Sequence, residues 1–307
     1  MKQVLVLLNA RAGTLIDAGT GSIVDEIASM LGPRCERVDV RLLQPGELAP
    51  AISRAAIGPH DTVIIGGGDG SISAAAAAFA NSGKQLGVLP FGTMNLLARD
   101  LGLLRDPHDA VAALASVVPR SIDLAEVNGR PFHTLSGLGF FSHMAREREE
   151  VRGHPLGRFF GVVLAWFRAL RRTAPFTIDV VIDGRTERIT ALAALVTNNA
   201  FGADWRRPKL DEGLLELHLV EEQGTLAKLK AGAALLTGTW RDEPGIRSIA
   251  ARDIVVASRR RYTSAATDGE LIRERIPLRY RTLPGALTVL GMPADAAAPL
   301  AGKTEIP

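Results

Sequence analysis

The chain has 307 residues, of which 47% are hydrophobic and 5% aromatic, and it carries a net charge of +3. This length allows two hydrophobic cores, and so few aromatic residues argue against a nucleic-acid-binding protein, which needs surfaces for base stacking. The lone Cys35 excludes a disulfide framework and a cysteine-based metal site. No apolar run is long enough to span a membrane, and the apolar residues 4–8 are too few for a signal peptide. We therefore expect a cytoplasmic location.

The first eighty residues alternate between predicted strands and helices. Residues 3–8 predict a strand, residues 15–31 have helical spacing, residues 37–43 predict a second strand, and residues 47–56 predict a second helix. This alternation is typical of an α/β domain with a parallel sheet and flanking helices. In such domains ligands bind outside the carboxyl ends of the strands.

The third predicted strand, residues 62–65, leads into a glycine turn. The turn reads Gly66-Gly67-Gly68-Asp69-Gly70-Ser71, and we expect a helix to start there with Ser71 as its N-cap. Glycines allow close backbone approach, and a helix N-terminus attracts anions, so the turn predicts a phosphate site. A Rossmann dinucleotide site is a weaker interpretation, because Ser71 replaces its third glycine and no ribose-binding acid follows about 20 residues later.

Two more polar turns follow predicted strands of the same sheet. Asn9, Arg11 and Gly13 come after the first strand, and Thr93 and Asn95 come after a fourth strand. Because carboxyl ends of parallel strands meet at one edge, we expect these groups to lie near the glycine turn. Capping of the next helix would explain one of them, whereas phosphate or ribose binding would explain all three turns.

The second half of the chain has a different pattern. Asn128-Gly129 and Asp183-Gly184 each separate two predicted strands, which is the signature of a two-residue hairpin and indicates antiparallel sheet. We therefore predict a nucleotide-binding α/β domain over residues 1–121, a β-rich substrate domain over residues 122–288, and a C-terminal tail over residues 289–307 that returns to the first domain.

Two arginine-rich stretches lie in the predicted second domain. Residues 158–172 predict an amphipathic helix with aromatic residues on one side and arginines on the other. This helix either packs against the β domain or faces a membrane surface, with its arginines toward lipid phosphates. The cluster Arg259-Arg260-Arg261 is open to three interpretations, as a headgroup contact, a nucleotide contact or a solvated face.

Two acidic turns are candidates for chemistry. Asp211, followed by Gly213, has the oxygen donors that a hard cation prefers, although most such turns are only turns. Asp268 and Glu270 flank Gly269, and within a strand these two carboxylates would share a face and raise one another's pKa, as a general base requires. A surface turn is the alternative interpretation of the same spacing. The P-loop-like residues 302–304 are discarded, because no strand precedes them.

Taken together, five stretches resemble the diacylglycerol kinase catalytic-domain family: residues 9–13, 67–71, 90–99, 211–215 and 268–270. The Gly-Gly-Asp-Gly sequence is shared with NAD kinases, whereas Pro-x-Gly-Thr-x-Asn with a late Asp-Gly-Glu is typical of lipid kinases. The resemblance implies an NAD kinase/diacylglycerol kinase-like fold. It also implies transfer of the γ-phosphoryl group of ATP, with Mg²⁺, to a lipid hydroxyl.

The resemblance assigns roles to residues already singled out. ATP would bind at residues 9–13, at residues 66–71 and at Thr93, in the crevice between the domains. Glu270 would accept the proton with Asp268 beside it, and Asp69 would orient Mg²⁺ and the phosphates. In related sphingosine kinases the residue equivalent to Asp69 is the base, so the choice between the two acids stays open.

The family's structural Mg²⁺ site carries over to Asp211, with backbone oxygens near Leu214 and Glu216. The lipid substrate implies peripheral contact with the inner face of the cell membrane, and the sequence leaves the oligomeric state open, a homodimer included. The Asp that follows Asn95 in many members is Leu96 here, which leaves the acceptor lipid open. The alternatives are an NAD kinase-like enzyme and a non-catalytic lipid- or nucleotide-binding relative.

Overall fold

The computed structural model describes residues 2–104, 106–150, 168–169, 171–202, 205–221, 234 and 239–293. The chain divides into two compact units. The first comprises Met1–Leu124 and Pro284–Pro307, and the second comprises Ala125–Leu283. Each unit is described by itself below.

The first unit is built on parallel strands. Its strands are β1 (Gln3–Asn9), β2 (Arg37–Leu43), β3 (Thr62–Gly67) and β4 (Gln85–Pro90), in the spatial order β4-β3-β1-β2. Every residue of β3 is buried, as expected of a central strand that is covered on both faces. The end of β15 (Leu278–Gly291) lies parallel to β4, where Thr288 and Val289 pair with Gln85 and Leu86.

Helices connect and cover these strands. They are α1 (Gly13–Asp17), α2 (Thr20–Leu31), α3 (Pro45–Ile57), α4 (Asp69–Phe79), α5 (Leu96–Asp100) and α6 (Pro107–Ala113), with a 3-10 turn at Gly32–Arg34. Apolar residues of α2 (Ile23, Ile27 and Leu31) are completely buried in one core with β1. The predicted helical periodicity over this stretch therefore marks the face that packs on the sheet.

Two local predictions in this unit are wrong. The continuous helix over residues 15–31 is broken at Gly19, whose φ of 84° lies in the left-handed region that glycine tolerates. The helix after the glycine turn begins at Asp69 with Gly68 as its N-cap, so Ser71 lies inside the helix and does not cap it.

The second unit is mostly antiparallel sheet. Its strands are the end of β5 (Val118–Val127), β6 (Arg130–Phe132), β7 (Leu135–Gly139), β8 (Phe176–Ile182), β9 (Arg185–Asn198), β10 (Leu215–Glu221), β11 (Ile246–Ala251), β12 (Asp253–Ala257), β13 (Tyr262–Thr267), β14 (Glu270–Arg275) and the start of β15. Their order is β14-β13-β7-β9-β8-β12-β15, with β10 on β9 and β11 on β10, and β5 pairs with β6 and β15. The predicted fold class, a parallel α/β unit followed by antiparallel β structure, is confirmed.

Three two-residue turns form hairpins in this unit. Asn128-Gly129 and Asp183-Gly184 both have positive φ at each position, as the predicted hairpins require. Asp268-Gly269 forms a third turn of this kind, with φ of 47° and 86°, between β13 and β14. Of the two interpretations of this spacing, the structure shows the turn and not the shared strand face, because residues 268 and 269 are the turn itself.

Helix α7 (Phe140–Glu150) follows β7, and a 3-10 turn spans Trp240–Asp242. Residues 158–167 and 170 of the predicted amphipathic helix lie outside the described residues, as do residues 294–307 of the predicted tail. Arg168, Ala169, Arg171 and Arg172 are described and helical. Within the described ranges no helix is long and apolar enough to cross a membrane.

Candidate functional site

The glycine turn of the first unit is packed too tightly for side chains. A Cβ on Gly66 would lie 2.5 Å from Cδ2 of Leu8 and 2.8 Å from Cε2 of Phe91. A Cβ on Gly67 would lie 2.7 Å from Oγ of Ser71 and 3.6 Å from Cβ of Asn9. The turn after β1 and the turn after β3 are therefore in contact, and glycine is required at both positions.

The same turn leads into a helix N-terminus that no side chain caps. Helix α4 has 11 residues, and its N-cap Gly68 provides no side-chain acceptor. A Cβ on Gly92 would lie 2.5 Å from Cα of Gly68, so the turn after β4 is also in close contact. The first N–H groups of a helix lack intrahelical acceptors and carry its positive dipole end. The arrangement suits a phosphate group at this edge of the sheet.

Asp69 joins two of these turns. Its Oδ2 accepts a hydrogen bond from the backbone N–H of Asn95 at 3.0 Å, and its Oδ1 accepts one from the N–H of Leu96 at 2.8 Å. The carboxylate thus caps the start of α5 while it occupies the first turn of α4. Both oxygens are held in place by backbone donors.

Asn95 shapes the turn after β4. Its backbone is left-handed, with a φ of 50°, and its side chain is buried. Its Oδ1 accepts from the N–H of Gly92 at 3.0 Å, and its Nδ2 donates to the carbonyls of Pro90 at 3.1 Å and Gly92 at 2.7 Å. This amide therefore holds the loop closed, and it leaves Thr93 exposed at the tip.

The turn after β1 is organised by its own asparagine. Oδ1 of Asn9 accepts the backbone N–H of Arg11 at 3.0 Å, which leaves the Arg11 side chain exposed next to the start of α1 at Gly13. The structure thus brings the three predicted polar turns together in the first unit. Asn9, Gly66 to Ser71, and Asn95 lie in adjoining turns.

In the second unit, Asp268 is buried at its turn and its carboxylate is fully engaged. Oδ2 accepts the backbone N–H of His133 at 2.8 Å, and Oδ1 accepts those of Thr134 at 2.9 Å and Leu135 at 3.1 Å. The N–H of Asp268 in turn donates to the carbonyl of Leu135 at 2.9 Å. Asp268 therefore holds the segment before β7 against the β13–β14 turn.

A buried polar network supports this segment from behind. The carbonyl of His133 accepts hydrogen bonds from Nδ2 of Asn198 at 3.0 Å and from the Arg207 guanidinium. Beside it, Oγ of Ser136 lies 3.0 Å from Oγ1 of Thr267 and 3.2 Å from the Tyr280 hydroxyl. Burial raises the pKa of Tyr280 well above its ordinary value, so this hydroxyl stays protonated and available as a donor.

Glu270 has a different environment from Asp268. It pairs with Thr267 at the first position of β14 and is exposed to solvent. Of the two carboxylates in the Asp-Gly-Glu sequence, one is thus buried among backbone donors and the other is accessible.

The predicted metal residues are close in sequence but differ in environment. Asp211 is exposed, the carbonyl of Leu214 accepts the N–H of Asn199 at 3.0 Å, and the carbonyl of Glu216 accepts Oγ1 of Thr197 at 3.3 Å. Oxygen donors of these kinds suit a hard cation such as Mg²⁺. Across the part of the chain that the structure describes, no three His, Cys, Asp or Glu side chains cluster around a metal-sized space.

The Glu216 side chain is committed to an ion pair. Its carboxylate accepts hydrogen bonds from both Arg241 amino groups, at 3.1 Å and 2.5 Å, and lies 3.3 Å from Nε2 of His218. Burial raises the pKa of Glu216, but the bonds from His218 and Arg241 outweigh it and lower the pKa to about 2. Burial lowers the pKa of His218, so its imidazole is held neutral.

His133 and Asn198 were not singled out from the sequence, and Arg207 was noted only as part of a basic cluster with Arg206. Nothing local marks them, since each acts through contacts with residues distant along the chain. The Asp268-Gly269 pair did carry a usable signal. It is the same turn sequence as Asp183-Gly184, and placing both in hairpins would have put Asp268 in the turn and Glu270 on the strand.

Sequence comparison matches both halves of the chain to known domains. Residues 3–127 match the diacylglycerol kinase catalytic domain, and residues 151–291 match the YegS C-terminal NAD kinase beta sandwich-like domain. A Bacillus anthracis structure named a diacylglycerol kinase superposes with a TM-score of 0.71 at 17% identity, over 95% of this chain and 98% of that one. At this identity the likeness shows the fold alone.

Curated relatives carry related names. A Bacillus subtilis protein named diacylglycerol kinase is 27% identical over 63% of this chain and 66% of its own length. Several matches span only about half of the relative, as with a Synechocystis protein matched over 54% of its length. A Pseudomonas fluorescens protein named "probable lipid kinase YegS-like" is 30% identical over 96% of this chain and 99% of its own. The chain therefore belongs to the diacylglycerol kinase family that includes the YegS-like lipid kinases.

Proposed function

We propose that this chain transfers the γ-phosphoryl group of ATP to a hydroxyl group of a lipid, diacylglycerol or a similar neutral lipid. The observation that carries the proposal is the glycine turn between β3 and α4, whose packing leaves a backbone-lined, uncapped helix N-terminus beside two other polar turns. Phosphoryl transfer depends mostly on positioning and charge neutralisation, which such a site supplies. Family membership supports the same reaction class.

In this proposal the first unit binds the nucleotide. The backbone N–H groups at the start of α4 bind phosphate oxygens, and exposed Arg11 and Thr93 add a cation and a hydroxyl. Asn95 does not need to touch the nucleotide, because its amide bonds hold the loop that presents Thr93. Its role is therefore to position its neighbours.

The second unit provides the proton acceptor in this proposal, and Glu270 is the better candidate. Both oxygens of Asp69 already accept backbone hydrogen bonds, which fix the carboxylate in place at the start of α5. Both oxygens of Asp268 are engaged in the same way. Exposed Glu270 can accept the proton of the attacking hydroxyl, while Asp268 fixes the turn that carries it.

The proposal includes Mg²⁺ as the partner of ATP, where it would neutralise charge on the transferred phosphoryl group. Asp69 lies next to the glycine turn with lone pairs remaining on both oxygens, so it can orient a phosphate-bound cation. The oxygen donors of Asp211, Leu214 and Glu216 would hold a second, structural ion in the other unit. Peripheral membrane contact follows from a lipid acceptor.

The test is transfer of labelled phosphate from the γ position of ATP, with Mg²⁺, into a total lipid extract, followed by separation of the products. A labelled lipid in the wild type that is lost in Glu270→Gln supports the proposal and identifies the acceptor by its mobility. Label in NAD instead of lipid would identify an NAD kinase-like enzyme. ATP binding without any labelled product would identify a non-catalytic relative.

A further inference from the structure

One face of the β13–β14 hairpin has a distinct composition, and helix α7 packs against this face at its Ala266 end. Cross-strand pairing places Tyr262 opposite Arg275, Ser264 opposite Arg273, and Ala266 opposite Leu271, so these side chains share a face. We call this set the basic face. Arg273, Arg275, Tyr262 and Leu271 are all exposed, the last two by 43% and 41%.

The charges of β14 are separated by face. Glu270 and Glu274 alternate with Arg273 and Arg275, so the acids point to one side of the strand and the arginines to the other. Glu274 accepts hydrogen bonds on its side from Asn128 and Arg130. Edge strands commonly carry charge to prevent aggregation, but that purpose does not require the two signs to be sorted between faces.

The arginines of this region form no salt bridge with any carboxylate in the described part of the chain. Among the described residues no carboxylate lies within ion-pair distance of Arg273, Arg275 or the adjoining Arg259, Arg260 and Arg261. Other arginines of the same unit are paired, as in Arg188 with Asp179 at 2.7 Å and Arg281 with Glu126 at 2.5 Å. The arginines of the basic face are therefore exposed and form no salt bridge with the described residues.

An aromatic ring lies between two of these guanidinium groups. Cζ of Arg273 is 4.9 Å and Cζ of Arg261 is 5.8 Å from the centre of the Tyr262 ring, while the ring remains partly exposed. Exposed Leu271 adds an apolar side chain on the same face. Tyrosine beside arginine and leucine is the composition that sits at the boundary of lipid headgroups and acyl chains.

We propose that the basic face of the β13–β14 hairpin docks on the anionic surface of a membrane. Arg273, Arg275 and Arg261 would contact lipid phosphates, and Tyr262 and Leu271 would enter the headgroup layer. This inference rests on the proposed function, in which the acceptor is a membrane lipid. It specifies which surface of the chain contacts the membrane, and it specifies that this membrane is negatively charged.

The test is co-sedimentation of the full chain with vesicles of phosphatidylcholine, with and without phosphatidylglycerol. We expect the wild type to bind the anionic vesicles and Arg273→Gln/Arg275→Gln to bind them about 30-fold more weakly, since each basic residue near an anionic surface contributes about fivefold. The matched control is Arg37→Gln/Arg54→Gln, which removes the same charge from exposed positions of the first unit. Tyr262→Ser/Leu271→Ser tests the apolar part.

Three results would refute the proposed docking surface. They are no binding of the wild type to anionic vesicles, an equal loss of vesicle binding in Arg273→Gln/Arg275→Gln and in the control Arg37→Gln/Arg54→Gln, and preferential binding to an oligonucleotide. Phosphorylation of a short-chain diacylglycerol in detergent separates this inference from the proposed function. Retained detergent activity in Arg273→Gln/Arg275→Gln with lost vesicle binding supports the surface. Vesicle binding by a wild type that phosphorylates no lipid would refute the enzyme and leave the surface standing.

Discussion

Substitutions of the two acids in the Asp-Gly-Glu turn should have different effects, one on stability and the other on turnover. We expect Asp268→Asn to destabilise the protein, and Glu270→Gln to abolish turnover with little effect on stability. Asparagine tolerates the left-handed backbone of residue 268, so this substitution changes the carboxylate and not the turn. Glu270 is exposed, and its substitution leaves no buried group without a partner.

The expected loss of stability in Asp268→Asn follows from the three backbone N–H groups that donate to this carboxylate. An amide at position 268 can keep its oxygen toward Thr134 and Leu135, but its NH₂ group would then face the N–H of His133, which now donates to Oδ2 at 2.8 Å. A hydrogen bond to a charged group contributes about 1.5–3 kcal/mol, and a buried unsatisfied donor costs a similar amount. We expect a loss of about 3 kcal/mol in the free energy of unfolding for Asp268→Asn, and less than about 0.5 kcal/mol for Glu270→Gln.

The assay is urea denaturation in parallel with labelled-phosphate transfer, at a temperature where every variant is folded. Asp183→Asn is the matched control, because Asp183 occupies the same position of an equivalent turn but is exposed. Turnover should fall at least about 100-fold in Glu270→Gln, the usual contribution of a general base. The reasoning is refuted if Asp268→Asn is as stable as the wild type and as inactive as Glu270→Gln.

Other substitutions test the turns and the buried ion pair. Gly66→Ala should lower the free energy of unfolding by about 1–3 kcal/mol, because its Cβ would overlap Leu8 and Phe91; an unchanged melting temperature would contradict this packing. Asn95→Ala should cost about 2 kcal/mol and weaken ATP binding in a calorimetric titration, since the Gly92 N–H loses its acceptor. Glu216 has a pKa of about 2 in place of its ordinary 4.5, so its stabilisation is complete above pH 4.5 and is lost as the pH falls toward 2. Glu216→Gln should therefore flatten the loss of stability in this acid range, and an unchanged slope would show that the ion pair is not formed.

Much of the fold could be predicted from local patterns. The alternation of apolar strands and helices identified the parallel unit, because strands covered on both faces are continuously apolar. Asn128-Gly129 and Asp183-Gly184 identified two hairpins, because their turn type demands positive φ. These signals lie within a few residues of the structure they determine.

The errors have a common cause. At these positions the local structure is determined by contacts with residues that are distant along the chain. Ser71 is a good N-cap by type, but the N-cap is Gly68, three residues earlier, where the backbone is in contact with Gly92 of the turn after β4. Asp268 is buried because the segment at His133 folds onto it from far along the chain. No local pattern contains that information, so the division of roles between Asp268 and Glu270 needed the structure.

The last strand has a consequence for how the protein is synthesised. Val289 of β15 pairs with Leu86 of β4, and the carbonyl of Ala286 accepts the N–H of Asn81, so an edge of the first unit is completed from the opposite end of the chain. During translation β4 emerges long before its neighbour exists. Its exposed edge would be open to pairing with other chains in that interval, and the long sequence separation slows closure of the sheet. In a chain truncated before residue 284, the end of β15 would be missing and this edge of β4 would stay unpaired.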